Sequence, residues 1–273
     1  MSDLEKYVQR DRNKVKGWLT WIDAELIRTI LSSQNQVLEL RSALEIGVHR
    51  GKSAILMLLG PTIEKLIAID LFGTQEENLD NSGSGNLEEF LNNLERFEIN
   101  LEKLKIVQVN STQIESRSLR DEVGALDLIH IDGGHTKAVV LNDLILAANL
   151  ISKHGVLIVD DFLRPDWPEV GEAVFAWLDA NRDFEVFCIG YNKVFMCHLN
   201  FTATWQNEIR NNSNLQYFLR KETQIRGKNV PNYFHFVTTE WTLKKRVYEY
   251  VRLFYPRLFI NLKVLKRVIT RSR

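Results

Sequence analysis

Five short apolar runs constrain this chain more than any other feature: SALEIGV (42–48), KLIAIDL (65–71), KIVQVNS (105–111), LDLIHID (126–132) and GVLIVDD (155–161). Each is nearly continuous in apolar residues and stops at or beside a polar residue or glycine, the pattern of strands buried on both faces of a parallel sheet. Helix-period segments alternate with them at 52–59, 87–99, 136–152 and 169–180, the last with Pro168 suited to a first helical turn. Strand alternating with helix predicts a doubly wound, Rossmann-like α/β domain. After the last helix, FEVFCIG (184–190) and KVFMCHL (193–199) are parted only by YN, so a mostly parallel sheet ends in an antiparallel hairpin.

Ahead of the first strand, Leu19, Ile22, Leu26 and Ile30 recur three or four apart and predict a helical cap. The stretch 73–86, GTQEENLDNSGSGN, is polar and rich in Gly, Ser and Asn; it reads as a loop on the strands' C-terminal side, either plain surface or a cover for a substrate. Apolar residues at 45% and charged residues at 26% describe an ordinary globular protein and exclude disorder as the dominant state. The polar first residues lack a secretory core, and no apolar stretch reaches the roughly 18–20 residues of a membrane span, so a cytoplasmic location is expected. Cys188 and Cys197 sit inside apolar runs without metal-ligand spacing and read as buried free thiols. No internal repeat is visible.

In open α/β sheets ligands bind beyond the carboxyl ends of the strands, so the strand-ending residues carry the functional information. EIGVHRGKSA (45–54) runs from strand through turn to helix start, with Glu45, Gly47, Gly51 and Ser53. Glycine allows close backbone approach to a ligand, and the helix start offers free N–H groups. The spacing is G-x-x-x-G, not the G-x-G-x-x-G of a dinucleotide fingerprint, which argues against an NAD-dependent oxidoreductase. Asp70 closes the second strand about 20 residues later, placed to bond the hydroxyls of a ribose. Asp132, Asp160 and Asp161 end the fourth and fifth strands. Three carboxylates at one sheet edge repel one another unless a cation sits among them, and oxygen ligands favour Mg²⁺ (or Mn²⁺) over zinc; one or two of them could instead cap helices or pair with Arg.

LEIGVHRGKSA, IAID and IHIDGGHTKAVVLNDLILAANLISKHGVLIVDDF, in this order and spacing, resemble the class I S-adenosylmethionine-dependent methyltransferases. The likeness covers residues 40–200 and points to the metal-dependent O-methyltransferase branch that holds the macrocin-type sugar O-methyltransferases and, more distantly, catechol O-methyltransferase. It implies a seven-stranded sheet closed by an antiparallel hairpin. It implies that Glu45, Gly47, Gly51 and Ser53 surround the amino-acid end of S-adenosylmethionine, that Asp70 holds its ribose, and that Ser111, beside Asn110, lies against its adenine. Asp132 would border both this cofactor and the metal. The same three aspartates would hold the metal, and His135 stands where catechol-type relatives carry a catalytic lysine. An imidazole pKa of about 6.5 suits proton abstraction at neutral pH. His49, His130 and His154 have weaker claims, with His130 read as a packed core residue.

This reading divides the chain into an N-terminal helical cap (1–38), an S-adenosylmethionine-binding domain (39–200) and a C-terminal extension (201–273). The activity it implies is methyl transfer to a hydroxyl of a sugar or other small molecule. A non-catalytic or membrane-associated binding protein on the same scaffold is the alternative. From Trp241 onward the chain holds ten Lys or Arg and one Glu, so residues 1–240 carry nine more acidic than basic groups although the whole is neutral. The basic segment reads as amphipathic helices broken at Pro256, either packed on the protein's own core, meeting a second copy in a homodimer, or touching an anionic membrane. No nucleic-acid-binding motif accompanies the charge, and no nucleic acid partner is expected.

Overall fold

The computed structural model describes residues 1–233 and 243–271, apart from Gln34, Leu79 and Asn81. Nine strands form one sheet: β1 (Ser42–Ile46), β2 (Lys65–Asp70), β3 (Leu104–Gln108), β4 (Leu126–Ile131), β5 (Ile151–Val159), β6 (Phe184–Ile189), β7 (Val194–His198), β8 (Lys221–Ile225) and β9 (Lys228–Asn232), in the order β3-β2-β1-β4-β5-β7-β6-β9-β8. β1 to β5 run parallel, and β7 is antiparallel to both β5 and β6. Strand order reverses at β1, which pairs with β2 on one side and β4 on the other, so the ligand crevice is expected at their carboxyl ends.

Successive strand residues point to opposite faces, and both faces are apolar. On one, Ala43, Leu66, Ala68, Leu128 and Val156 pack beneath α1 (Asp3–Gln9), α2 (Trp21–Leu31) and α3 (Lys52–Leu58). α4 (Leu87–Arg96) adds Phe90 and Leu94 to that cluster. On the other face, Leu44, Ile67, Ile129 and Leu157 meet α5 (Ser116–Val123), α6 (Lys137–Leu150) and α7 (Pro168–Ala180). The helices start where their sequences supply caps. Thr20 accepts from Asp23 N at 3.1 Å, Asn86 from Glu89 N at 2.7 Å, and Pro168 opens α7, where its missing N–H costs nothing.

The sheet has nine strands, not the seven that the resemblance implied. α8 (Thr202–Asn211) seats fully buried Trp205 parallel to Phe187, ring centroids 6.1 Å apart, with its Nε1 donating to His154 O at 3.3 Å. The β8–β9 hairpin then joins the sheet edge through the parallel pair Ile189 and Asn232. Residues 201–233, expected in the C-terminal extension, thus share the core of the preceding domain. β8 escaped the apolar pattern because it is an edge strand with exposed Lys221, Glu222 and Gln224. α6 ends at Leu150 because Ile151 is already extended and opens β5.

α9 (Leu243–Phe254) and α10 (Pro256–Arg271) follow, so the expected break at Pro256 is where one helix gives way to the next. Trp241, the start of the expected basic segment, and 234–240 lie outside the described residues. Both cysteines are buried and unlinked. Among the described residues no helix is long and apolar enough to cross a membrane.

Candidate active site

The carboxyl ends of β1 to β5 open into a cleft of about 440 Å³. Its floor forms where β1 gives way to a tight turn. Gly47 has φ +86°, and a Cβ there would stand 1.8 Å from the Asp132 carbonyl oxygen, so only glycine lets the first turn lie against the end of β4. Asp132 N donates to Ile46 O at 2.7 Å, closing the same contact.

Asp70 ends β2 facing that turn. Its Oδ2 accepts from Val48 N at 2.6 Å and His49 N at 2.7 Å, and its Oδ1 from Phe72 N. The carboxylate therefore organises the glycine turn; the two bonds fill Oδ2, and Oδ1 keeps lone-pair capacity in the cleft that Asp70 lines. Ser53 and Ser111 also line the cleft. Behind Ser111, Asp143 of α6 is fully buried: Oδ1 accepts from Asn142 at 3.2 Å, and Oδ2 has no hydrogen-bond partner. Burial pushes its pKa up to about 6, against the pull of Ser111 and Asn142.

Glu45 and Gly51, expected around the cofactor, do not line the cleft. A Cβ on Gly51 would enter the Phe90 ring at 2.3 Å, so this glycine serves the packing of α4 on the turn. Glu45 is fully buried under the floor, its Oε1 2.8 Å from His130 Nδ1. His130 Nε2 lies 2.9 Å from Lys193 Nζ, and Lys193 bonds Asp160 Oδ2. The protons in this chain can be assigned. Burial and Lys193 depress the His130 pKa to about 3, so the ring is neutral. An ammonium only donates, so Nε2 accepts and Nδ1–H donates to Glu45. Burial lifts Glu45 to about 8, opposed by Ser53 and Lys193, which leaves it a neutral acid at neutral pH. Burial alone would lower Lys193, but Asp160, Asp132 and Asp23 outweigh it and hold it charged.

The acidic edge consequently differs from three aspartates around one point. Asp132 belongs to two clusters of ligand atoms within 4.8 Å of one another, one with His130 and Asp160, the other with His135 and Asp161, and neither holds all three carboxylates. Asp160 Oδ1 accepts from Asn192 Nδ2 and Asp161 N, both at 2.8 Å, and Lys193 neutralises its other oxygen. Burial, then the charge of Asp160, raises the Asp132 pKa well above the carboxylate range.

Asp161 sits at φ +55°, a left-handed conformation that aspartate tolerates better than most residues, and its Oδ2 lies 2.9 Å from His135 Nε2. The 73–86 loop delivers Asp80, whose Oδ2 takes His135 N–H at 2.6 Å and lies 2.9 Å from Nδ1. Burial works to lower the His135 pKa, but Asp161 and Asp80 overcome it and raise it. Trp167 stacks on the imidazole at 4.3 Å. His135 therefore lines the cleft as a ring clamped on both nitrogens and one face.

Residues 44–162 match a family model described as a methyltransferase domain. That stretch is similar to a methyltransferase domain. Among solved structures, the O-methyltransferase NovP aligns at 19% identity and a TM-score of 0.54, covering 64% of this chain and 78% of that one. An O-methyltransferase from Bacillus cereus, solved with S-adenosylhomocysteine, aligns at 16% identity and a TM-score of 0.47, covering 71% and 89%. The mycinamycin-pathway enzyme MycE, solved with Mg, S-adenosylhomocysteine and mycinamycin VI, aligns at 16% identity and a TM-score of 0.49, covering 72% and 54%. No curated protein matches the sequence.

Asp80 and Asn192, which line the cleft, and Lys193, buried beneath it, escaped the sequence reading. Asn192 and Lys193 lie in the β6–β7 turn, whose Tyr191 N donates to Asp23 Oδ1 of α2 at 2.8 Å. Their signal was positional: a two-residue turn places the start of β7 beside the end of β5, where Asp160 stands.

Proposed function

We propose that the protein transfers the methyl group of S-adenosylmethionine to a hydroxyl of a sugar or other small molecule. The observation that carries this is the composition of one cleft. A glycine turn and a strand-end carboxylate line one half, a carboxylate–imidazole cluster lines the other, and both come from the stretch matching a methyltransferase domain. The fold shared with NovP supports oxygen as the acceptor atom, and the sequence resemblance to macrocin-type enzymes favours a sugar over a phenolic hydroxyl.

The cleft fits the cofactor: its volume suits a nucleoside joined to an amino acid, and Asp70, Ser53 and Ser111 line it with polar side chains. In this reading the remaining capacity of Asp70 Oδ1 takes a ribose hydroxyl, Ser111 borders the adenine, and Ser53 and the Gly47 backbone border the amino-acid end. The acidic edge fits a divalent cation through Asp132, whose carboxyl is strained by the charge of Asp160 beside it. Asp132 and Asp161 would hold Mg²⁺ (or Mn²⁺), with Asp160 already engaged by Lys193 and Asn192; when bound the ion supplies a Lewis acid that lowers the pKa of an acceptor hydroxyl.

His135 takes the acceptor's proton. As placed, both ring nitrogens face carboxylates and favour the imidazolium, so the base forms when Nε2 releases its proton to solvent and turns from Asp161 toward the acceptor. Asp80 then keeps Nδ1 protonated and the ring oriented. The acceptor oxygen bonds the methyl carbon as the carbon–sulfur bond breaks, the sulfonium becomes a neutral thioether, and the proton rests on His135. Alignment of oxygen, carbon and sulfur supplies much of the rate.

Calorimetric titration with S-adenosylhomocysteine and with NAD, each with and without Mg²⁺, tests the reading. Binding of the first and not the second is expected; NAD binding alone overturns it, and binding of neither makes the scaffold non-catalytic. An acceptor screen read by mass spectrometry for one added methyl group then names the substrate. Full activity in excess chelator would remove the metal from the proposal and leave the methyl transfer standing.

A further inference from the structure

Among the described residues, seventeen large apolar side chains are exposed, and seven of them fall between Val247 and Leu262. The concentration is not a sign of helices detached from the core. Arg252 is buried with its guanidinium 5.2 Å above the Phe218 ring, and buried Phe259 packs on Phe218 at 5.7 Å and edge-on to Tyr248 at 5.1 Å. Val251, Leu253 and Ile260 complete the inward face.

The opposite face has its own order. Val247, Tyr250 and Phe254 recur at three and four residues along α9, and Leu258 and Leu262 four apart along α10. Tyr250 lies 4.7 Å from Phe254 and 6.0 Å from Tyr255, so an aromatic group stands in solvent at the break between the helices. By sequence, residues 241–273 hold ten basic groups and one acidic, while the other 240 residues carry the matching excess of negative charge.

We propose that this face docks on an anionic phospholipid bilayer, with α9 and α10 lying in the headgroup plane. Aromatic and aliphatic side chains on one face with basic residues along the helices match that environment, and neither helix is long and apolar enough to cross it. The charge division supports the choice of occupant. Anionic lipid attracts the basic helices and repels the acidic remainder, which orients the molecule with this face down. A second copy docked on the same face would bring two basic segments together, which like-charge repulsion opposes. The proposal does not depend on the chemistry of the cleft.

Flotation of the full chain with vesicles tests it. Binding to mixed phosphatidylcholine–phosphatidylglycerol vesicles is expected, at least about tenfold weaker on phosphatidylcholine alone and weakened by added salt. The double substitution Tyr250→Ser, Phe254→Ser should cut the binding about tenfold while leaving the melting temperature unchanged, since both side chains are exposed. Absence of flotation with the mixed vesicles, or equal binding to both compositions, overturns the proposal. So does a solution dimer, seen by sedimentation, that the same double substitution dissociates.

Discussion

The substitution Asp143→Asn should stabilise the protein at neutral pH by removing a loss of stability that sets in between about pH 4 and pH 6. Asp143 is fully buried, one carboxylate oxygen has no partner, and burial lifts its pKa from 3.8 to about 6. An acid with a raised folded pKa binds, in the native state, a proton that the unfolded state has already released. Its contribution is therefore complete below the unfolded value, declines as pH rises from about 4 to about 6, and stays lost above. A shift of about two units corresponds to about 3 kcal/mol of native-state cost at pH 7, and the near-complete burial leaves little solvent to screen it. Asparagine keeps the shape and the acceptor for Asn142 but never ionises; an amide hydrogen left unbonded would return about 1 kcal/mol of that gain. Urea titrations across pH 4 to 7 should show the variant about 2–3 kcal/mol more stable at pH 7 and level with the parent near pH 4. Equal stability at pH 7, or a difference that does not change with pH, would refute the reasoning.

Lys193→Met should destabilise by about 3–5 kcal/mol, because it leaves Asp160 buried beside Asp132 without its cation and His130 Nε2 without a donor. Adding Asp160→Asn should restore much of the loss in the same denaturation assay, whereas equal losses in the single and double variants would dismiss the ion pair. Gly47→Ala forces a Cβ into the Asp132 carbonyl at positive φ, and calorimetry should show binding of S-adenosylhomocysteine reduced by more than about tenfold. Asp80→Ala frees His135 Nδ1 and the loop that bonds it, so kcat should fall with the acceptor while S-adenosylhomocysteine affinity changes little; loss of both together would mean that Asp80 holds the whole cleft.

β1, β2, β4 and β5 were legible because burial on both faces leaves a nearly unbroken apolar run, whereas edge strand β3 showed only through Ile106, Val107 and Val109 beside exposed Lys105 and Gln108. β8 and β9 were not, since an edge hairpin can be polar; the one local clue was Arg226-Gly227, which takes positive φ at both positions as a two-residue hairpin turn prefers. α5 also went unread: SRSLRDEV buries only Leu119. In the site, Gly47, Asp70 and the strand-end aspartates could be found because strand ends are where α/β sheets bind ligands. Lys193 could not. A lysine closing a tight turn reads as a solvated charge, and only the packed structure puts it next to Asp160 and His130. Its presence changes the premise that three carboxylates at one edge need an external cation, because one of them already has an internal one. Glu45 shows the reverse error, since its place at the end of β1 suggests ligand contact while its side chain points into the sheet's interior polar chain.

The bond from Tyr191 N to Asp23 ties the first helices to the turn carrying Asn192 and Lys193. A Cβ on Gly190 would also stand 2.1 Å from an Asp23 oxygen, so helix and turn are fitted to each other at backbone level. The stretch that matches the methyltransferase model, residues 44–162, contains neither partner of that joint. A fragment trimmed to the matching stretch would keep the glycine turn and all three aspartates and still lack the clamp on two of them. The smallest unit able to reproduce this site's electrostatics runs from the N-terminal helices through β7.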